Sequence, residues 1–401
     1  MTSDRDSALL PEDLAARVKV YSDELVAFRR DLHAHPELSW AEVRTTRRLA
    51  QRLTEAGLEP VPVPGGTGLL CDIGHGPDVV ALRADLDALP IPDGKDVPYR
   101  STVPGACHAC GHDVHTTVVL GAGLVLADLA REGLLPGRVR LILQPAEESS
   151  RSGARAVVAA GGLQDVRRIF ALHCDPRTEV GRLGLRVGPI TGSADHLVVR
   201  LSGPGGHTAR PHLSADVVFA LGTLITALPA ALSRRVDPRA ALSLVWGRVN
   251  AGRVANAIPQ SGEVEGTLRC LDSRAWADAP ELVERLVREI VAPYGVRPEV
   301  TYTRNVPPVD NEAGSVALLA QAARLSEGED TVTDTEQSLG GEDFAWYLEH
   351  VPGALARLGV CPPGVPEAAR HDLHQGHFDA DERAIGVGAR VLTAAAMLAM
   401  R

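Results

Sequence analysis

The sequence predicts an α/β protein of two domains, one inserted into the other. Three observations predict this. The chain has 401 residues, enough for two domains of ordinary size. Its first and last parts alternate short apolar strands with longer apolar helices, and several strands run into carboxylate or imidazole side chains. Between them the order becomes β-α-β-β-α-β, with the size and alternation of a ferredoxin-like sandwich. The expected division is residues 1–187 and 306–401 for the first domain and 188–305 for the inserted one.

Leu14–Arg30 has helical apolar spacing, and the segment after it stops at Pro36. Glu42–Ala56 is expected to be a second helix, closed by Gly57. Leu69–Ile73 and Val79–Arg83 read as short buried strands, and the second delivers Asp85 and Asp87. Two carboxylates two apart at a strand end serve a metal or its ligands, or else form a solvated acidic turn. Thr116–Glu132 reads as a buried helix. Arg138–Leu143 is a strand running into Gln144-Pro145-Ala146-Glu147-Glu148, and Ile169–Leu172 a strand ending at His173. In the insertion, His196–Leu201, Ala241–Arg248, Glu263–Leu271 and Glu299–Arg304 are strands, Ala215–Arg234 and Ala279–Ala292 are helices, and Gly203–His207 is a loop. The last part holds helices at Ser315–Arg324, Phe344–His350 and Glu382–Met400 and a strand at Leu355–Leu358.

Hydrophobic residues make up 45% and aromatics only 3%, so the core must be built from Leu, Val and Ala. No apolar run reaches membrane-spanning length, and Met1–Glu12 is too polar and acidic for a secretory signal. The six cysteines suit a reducing cytoplasm with free thiols. A formal charge of −10 disfavours nucleic acid. The expectation is a cytoplasmic protein with neither a nucleic-acid nor a membrane partner.

Gly105–His115 puts two cysteines, three histidines and a carboxylate into eleven residues. Cys110 and His112 flank Gly111, and thiolate and neutral imidazole both bind zinc-like metals. Cys107 and Cys110 could instead be half a zinc knuckle or a redox pair. A knuckle needs a second pair at similar spacing, which the chain lacks, and histidines seldom crowd a redox pair. Glu147 and Glu148 are adjacent like charges beside a buried strand. A metal would hold one and leave the other free as a base. His173 is a third metal-type side chain at a strand end, and His371, His374 and His377 offer a last ligand.

Arg29–Glu37, Leu82–Ile91, His108–His115, Gln144–Glu148, Leu172–Pro176, Gly205–His212, Asn256–Pro259, Gly266–Arg269, Gly341–Phe344 and Leu373–Asp379, in this order, resemble the metallo-amidohydrolases. That family includes hippurate hydrolase, bacterial N-acyl-amino-acid deacylases and plant indoleacetyl-amino-acid hydrolases. The similarity runs almost end to end. It implies a metallo-exopeptidase-like fold, with a mixed-sheet catalytic domain carrying helices on both faces and a ferredoxin-like lid that dimerises, giving a homodimer or homotetramer. It implies two divalent ions per subunit, manganese or zinc, with cobalt or nickel as alternatives.

By the same resemblance, Cys110 bridges the ions and His112, Glu148, His173 and His374 complete the ligands, with His371 and His377 as alternatives to His374. Glu147 is the general base. Asp87 orients a ligand, and Asp85 stands where wider relatives carry a ligand histidine. His207 is the candidate donor to the oxyanion. Asn256 and Arg269 fall at motif positions suited to the product's α-carboxylate, although Arg269 also fits a structural ion pair. Ser149-Ser150-Arg151-Ser152 replaces the family's usual glycine-rich run, Cys107 stands where many members have Met, and Gly376 replaces a common proline. The activity implied is hydrolysis of the amide bond of small N-acyl amino acids. A dipeptidase or aminopeptidase on the same scaffold, or a non-catalytic metal-binding homologue, are the rival readings.

Overall fold

The structure, a computed structural model, describes residues 11–401, so the signal-sequence reading of the first ten residues lies outside it. The chain divides into two compact units. The first comprises Met1–Gly188, Asn311–Glu336 and Trp346–Arg401, and the second Pro189–Asp310 and Gln337–Ala345.

The first unit is built on an eight-stranded mixed sheet, in the order Val61–Pro62, Leu69–Gly74, Arg138–Gln144, Val79–Asp85, Val166–Glu179, Gly353–Cys361, Leu183–Leu185 and Val332–Asp334. Its four central strands, from Arg138–Gln144 to Gly353–Cys361, are parallel, and antiparallel pairs flank them. Every residue of Val79–Asp85 and of Gly353–Cys361 is buried, so both faces of the sheet centre are covered. The core helix His112–Arg131 packs against Pro11–Ala34 and Arg383–Ala399. The strand expected at Ile169–Leu172 runs from Val166 to Glu179, because its pairing with Gly353–Cys361 continues past His173. His173 therefore lies within the strand instead of ending it.

The second unit has a four-stranded antiparallel sheet in the order Ser243–Ala251, Ser261–Arg269, Asp195–Ser202, Arg297–Thr303. Helices Val217–Arg235 and Ser273–Val291 complete a βαββαβ sequence. Asp195–Ser202 and Ser261–Arg269 alternate buried and less buried residues, as expected of strands with one covered face. The helix expected from Ala279 begins at Ser273. The Asp272 carboxylate accepts the Ala275 N–H at 2.7 Å and caps it, and Pro280 lies inside. The loop expected at Gly203–His207 contributes a two-residue strand, Gly206–His207, paired with Ala257–Ile258.

Two helices are long and apolar enough to cross a membrane, where the sequence reading expected none: His112–Arg131 and Val217–Arg235. The first is the buried centre of its unit, and the second lays Val217, Leu221, Leu224 and Leu228 into the core of its own unit. The helix expected at Phe344–His350 is only Ala345–Leu348.

Candidate metal centre and amide-hydrolysis site

Strand register assembles the site. Asp85 ends its strand opposite Gln144, and the pairing of Arg83 with Ala171 on the other side brings His173 level with Asp85. Beyond Gln144 the chain forms a tight loop. Ala146 adopts φ 52° and its N–H donates to Glu42 Oε1 at 2.8 Å. Gly153 N–H donates to Ala146 O at 3.0 Å and closes Glu147–Ser152 into a ring. A Cβ on Gly153 would lie 1.6 Å from Pro145 O, so only glycine closes it. Inside the ring, Asp87 Oδ1 accepts the Glu147 N–H and Oδ2 the Glu148 N–H, both at 3.0 Å, while Ser39 Oγ donates to Oδ2 at 2.6 Å. Asp87 therefore fixes the backbone of both glutamates.

Gly111 sits at φ 86° immediately before the core helix, in the left-handed region that favours glycine, and a Cβ there would meet Cys174 Sγ at 2.8 Å. That turn sets Cys110 and His112 on either side of one residue. Cys110 Sγ is 3.6 Å from His173 Nε2. His112 Nε2 is 3.8 Å from Asp85 Oδ2 and 3.9 Å from Glu148 Oε1, while its Nδ1 faces Asp87 Oδ1 at 3.3 Å. His374 Nε2 lies 3.2 Å from Glu148 Oε1. His374 has φ 63°, and its N–H donates to Ala109 O at 2.8 Å, which ties it to the cysteine loop. His371 and His377 instead stack on each other, with ring centroids 5.3 Å apart.

Donor atoms of Cys110, His112 and His173 lie within 4.8 Å of one another, as do those of Cys110, Glu148 and His374, and of His112, Glu147 and Glu148. A tetrahedral ion with bonds of about 2.0–2.3 Å holds its donors roughly 3.3–3.8 Å apart, and the pairs Cys110–His173 at 3.6 Å, His374–Glu148 at 3.2 Å and His112–Glu148 at 3.9 Å come close to that spacing. Two triplets share Cys110, which suits a sulfur between two ions. His112 Nε2 and Glu148 Oε1 are buried without a hydrogen-bond partner, the mark of atoms that await another ligand. His173 Nδ1 lies 2.9 Å from Cys174 O. Its proton belongs there, so Nε2 is free to bind. The donor set fits two divalent ions.

The charges agree. Burial opposes ionisation of Asp85, but His112, Arg83 and His115 hold its pKa well below the usual carboxylate range. Asp87 is also buried and also lowered, by His112, Ser39 and the Glu148 N–H. Burial pushes the Cys110 thiol up, against His112 and His374. Burial, with His115 and Arg357, pushes His173 well down, leaving it a neutral imidazole. Cys110 and Glu148 push His374 up to about 10, since both anions face it and attract positive charge.

Sequence reasoning missed the supports. His115 Nδ1 lies 2.7 Å from Asp85 Oδ1 and its Nε2 accepts the Cys174 N–H at 2.8 Å, so both ring nitrogens are used in positioning. Arg83 donates to Asp85 at 2.7 Å and to Gln144 at 2.9 Å. Ser39 and Glu42 act as described above. Only His115 carried a sequence signal, its three-residue spacing from His112 on one helix.

The other three expected residues belong to the second unit. His207 is exposed and its Nδ1 accepts the Ala209 N–H at 3.0 Å, which places its proton on Nε2. Asn256 is also exposed, and its backbone carbonyl accepts the Thr208 N–H at 3.4 Å. Arg269 ends its strand and donates to Leu339 O, so part of its fork is structural.

A mixed-sheet α/β unit with a nitrogen, oxygen and sulfur donor set that fits two divalent ions, beside paired glutamates, is the arrangement of a two-metal hydrolytic centre. The chain belongs to peptidase family M20/M25/M40, whose model matches residues 81–398. It is 52% identical over 372 residues to a Rhodococcus jostii protein named as glutamate–cysteine ligase 2-3, which covers 92% of this chain but 46% of that protein. The chain thus spans about half the length of that relative. It is 37% identical over 385 residues to the N-acetylcysteine deacetylase of Bacillus subtilis, covering 95% of this chain and 98% of that one. Among solved structures it is similar to Bacillus subtilis YxeP, described as a dinuclear metal-binding peptidase of the M20 family, with a TM-score of 0.81, 35% identity, and coverage of 95% and 99%.

Proposed function

We propose that this protein hydrolyses the amide bond of small N-acyl amino acids, releasing a carboxylic acid and an amino acid, with Glu147 as general base. The observation that carries the reading is the ring Glu147–Ser152, in which Asp87 pins two adjacent glutamates by their N–H groups. Glu148 turns Oε1 toward both His112 and His374 for a ligand role, and Glu147 supplies a second carboxylate within 4.8 Å of the His112 and Glu148 donors. Bound divalent ions, manganese, zinc, cobalt or nickel, would acidify a water and polarise the amide carbonyl.

Glu147 takes the proton of the attacking water and returns it to the leaving amine. Asp87 holds the glutamates and the His112 ring in register. In this reading His207 donates its Nε2–H to the oxyanion, and Asn256 with the free part of Arg269 receives the product's α-carboxylate.

Two names among the relatives point to one amino acid. One relative is a deacetylase of N-acetylcysteine, and the other is named as a ligase that joins glutamate to cysteine. We therefore assign N-acyl cysteines to the substrate range.

The test is amine release by metal-stripped protein before and after manganese, zinc, cobalt or nickel is restored. The panel would hold N-acetylcysteine, other N-acetyl amino acids, hippurate, an indoleacetyl-amino acid and free dipeptides. Metal-dependent cleavage of the acyl substrates but not of dipeptides is expected, and cleavage of dipeptides alone would replace this reading with a peptidase. Glu147→Gln should keep its ions and lose about 10²–10⁴ in kcat. Turnover near wild type in that variant would remove Glu147 from the role of base.

A further inference from the structure

The loop that holds the glutamates also holds a cation that the hydrolytic chemistry leaves unused. Arg151 is exposed, three residues after Glu148 in the closed ring, and makes no ion pair among the described residues. Three residues of chain span at most about 11 Å, so the Arg151 backbone stays at the border of the metal centre. Its guanidinium lies over the Trp40 ring, 4.7 Å from the centroid. The Trp40 indole N–H donates to Arg151 O at 2.9 Å, so the tryptophan grips both ends of the residue.

Trp40 is itself placed by the site. The preceding residue, Ser39, donates to Asp87, the carboxylate that fixes Glu147 and Glu148. Trp40 also adopts φ 65°, a conformation bulky side chains rarely take and one that persists where surrounding contacts impose it. Ala146 and His374 share that left-handed conformation, so three of the five such non-glycine residues among those described belong to this centre and its border. A guanidinium with one face on an aromatic ring keeps its edge N–H groups for a planar anion, and a carboxylate matches that fork.

We propose that Arg151, positioned by Trp40, recognises a carboxylate of the substrate and so sets its specificity. The proposal rests on the amidohydrolase reading above. Two carboxylates have the required chemistry: the α-carboxylate of the amino acid, and a second carboxylate on a dicarboxylic acyl group such as succinyl.

The test uses the metal-loaded enzyme and three probes. N-acetylcysteine carries only the α-carboxylate, N-succinylcysteine amide only the acyl carboxylate, and N-acetylcysteine amide neither. For each protein the readout is the ratio of kcat/KM on a carboxylate-bearing probe to that on the neutral amide. In Arg151→Ala one of the two ratios should fall about tenfold, chiefly through KM, and the probe affected identifies the carboxylate. Arg151→Lys, which keeps the charge without the fork, should recover part of it. Trp40→Leu should lower the same ratio with Arg151 intact. Ratios equal to wild type in Arg151→Ala, or an equal loss on all three probes, would overturn the proposal while leaving the amidohydrolase reading standing. No metal-dependent turnover by the wild-type protein of any probe, nor of any acyl substrate in the panel above, would overturn both.

Discussion

Asp87→Asn removes one charge and changes almost no volume, so it isolates what the carboxylate does. Asp87 is 1% exposed and spends both oxygens on the loop: Oδ1 on the Glu147 N–H, Oδ2 on the Glu148 N–H and the Ser39 hydroxyl. Asparagine keeps one acceptor oxygen, and its NH₂ group must face one of those N–H donors. One charge-assisted hydrogen bond is lost and one buried donor is left without a partner. At about 1.5–3 and about 1–3 kcal/mol respectively, the cost is about 2.5–6 kcal/mol. His112 Nδ1, 3.3 Å from Asp87 Oδ1, also loses the charge that orients its ring. Loss of such a partner typically weakens metal binding about 10–100-fold. Urea unfolding reads the first quantity, and competition with a chromophoric chelator reads the second. If Asp87→Asn unfolds within about 0.5 kcal/mol of wild type and competes for metal equally well, Asp87 does not organise this loop and the account of the glutamate pair fails.

Gly111→Ala should cost about 1–2 kcal/mol for left-handed backbone and about 1–3 kcal/mol more for the Cβ pressed against Cys174. Because Gly111 separates Cys110 from His112, bound metal measured by mass spectrometry should fall with stability; full occupancy in a folded variant would refute the turn's role. Arg29 is 1% exposed and pairs with Asp113 and Asp379 at 2.8 Å and with Glu382 at 3.4 Å. Arg29→Met leaves the fully buried Asp113 without its guanidinium and should destabilise by about 3–5 kcal/mol in denaturant unfolding. Chelation should lower the thermal midpoint, and restored divalent ions should raise it in proportion to the logarithm of free metal; a midpoint indifferent to metal would argue against the donor set as a binding site.

The parts of this protein legible in its sequence are those where residue type and local period carry the information. Val79–Asp85 reads as a strand because a parallel strand covered on both faces is apolar throughout. Cys110, His112, Glu147, Glu148 and His173 draw attention because such side chains are costly to bury unless something holds them. The limits appear where tertiary contact decides. Pro280 hides a helix that starts at Ser273, because the evidence for that start is one capping contact from Asp272. Ser39, Glu42 and His115 act on atoms 48, 104 and 59 positions away. Nothing in the neighbourhoods of Ser39 and Glu42 distinguishes them from any serine or glutamate, and the spacing of His115 from His112 marks the histidine without showing that it holds Asp85.

The three C-terminal histidines show the same division at closest range. By type, His371, His374 and His377 are interchangeable. The left-handed backbone at His374 and its N–H bond to Ala109 turn one ring toward Glu148, and the other two stack on each other. Both facts are conformational. The left-handed angle falls on a histidine, so no glycine marks it in the sequence. The chemical inventory of a site can therefore be read from side-chain type, while the choice among equivalent members is made by backbone conformation, which the sequence encodes only through the whole fold.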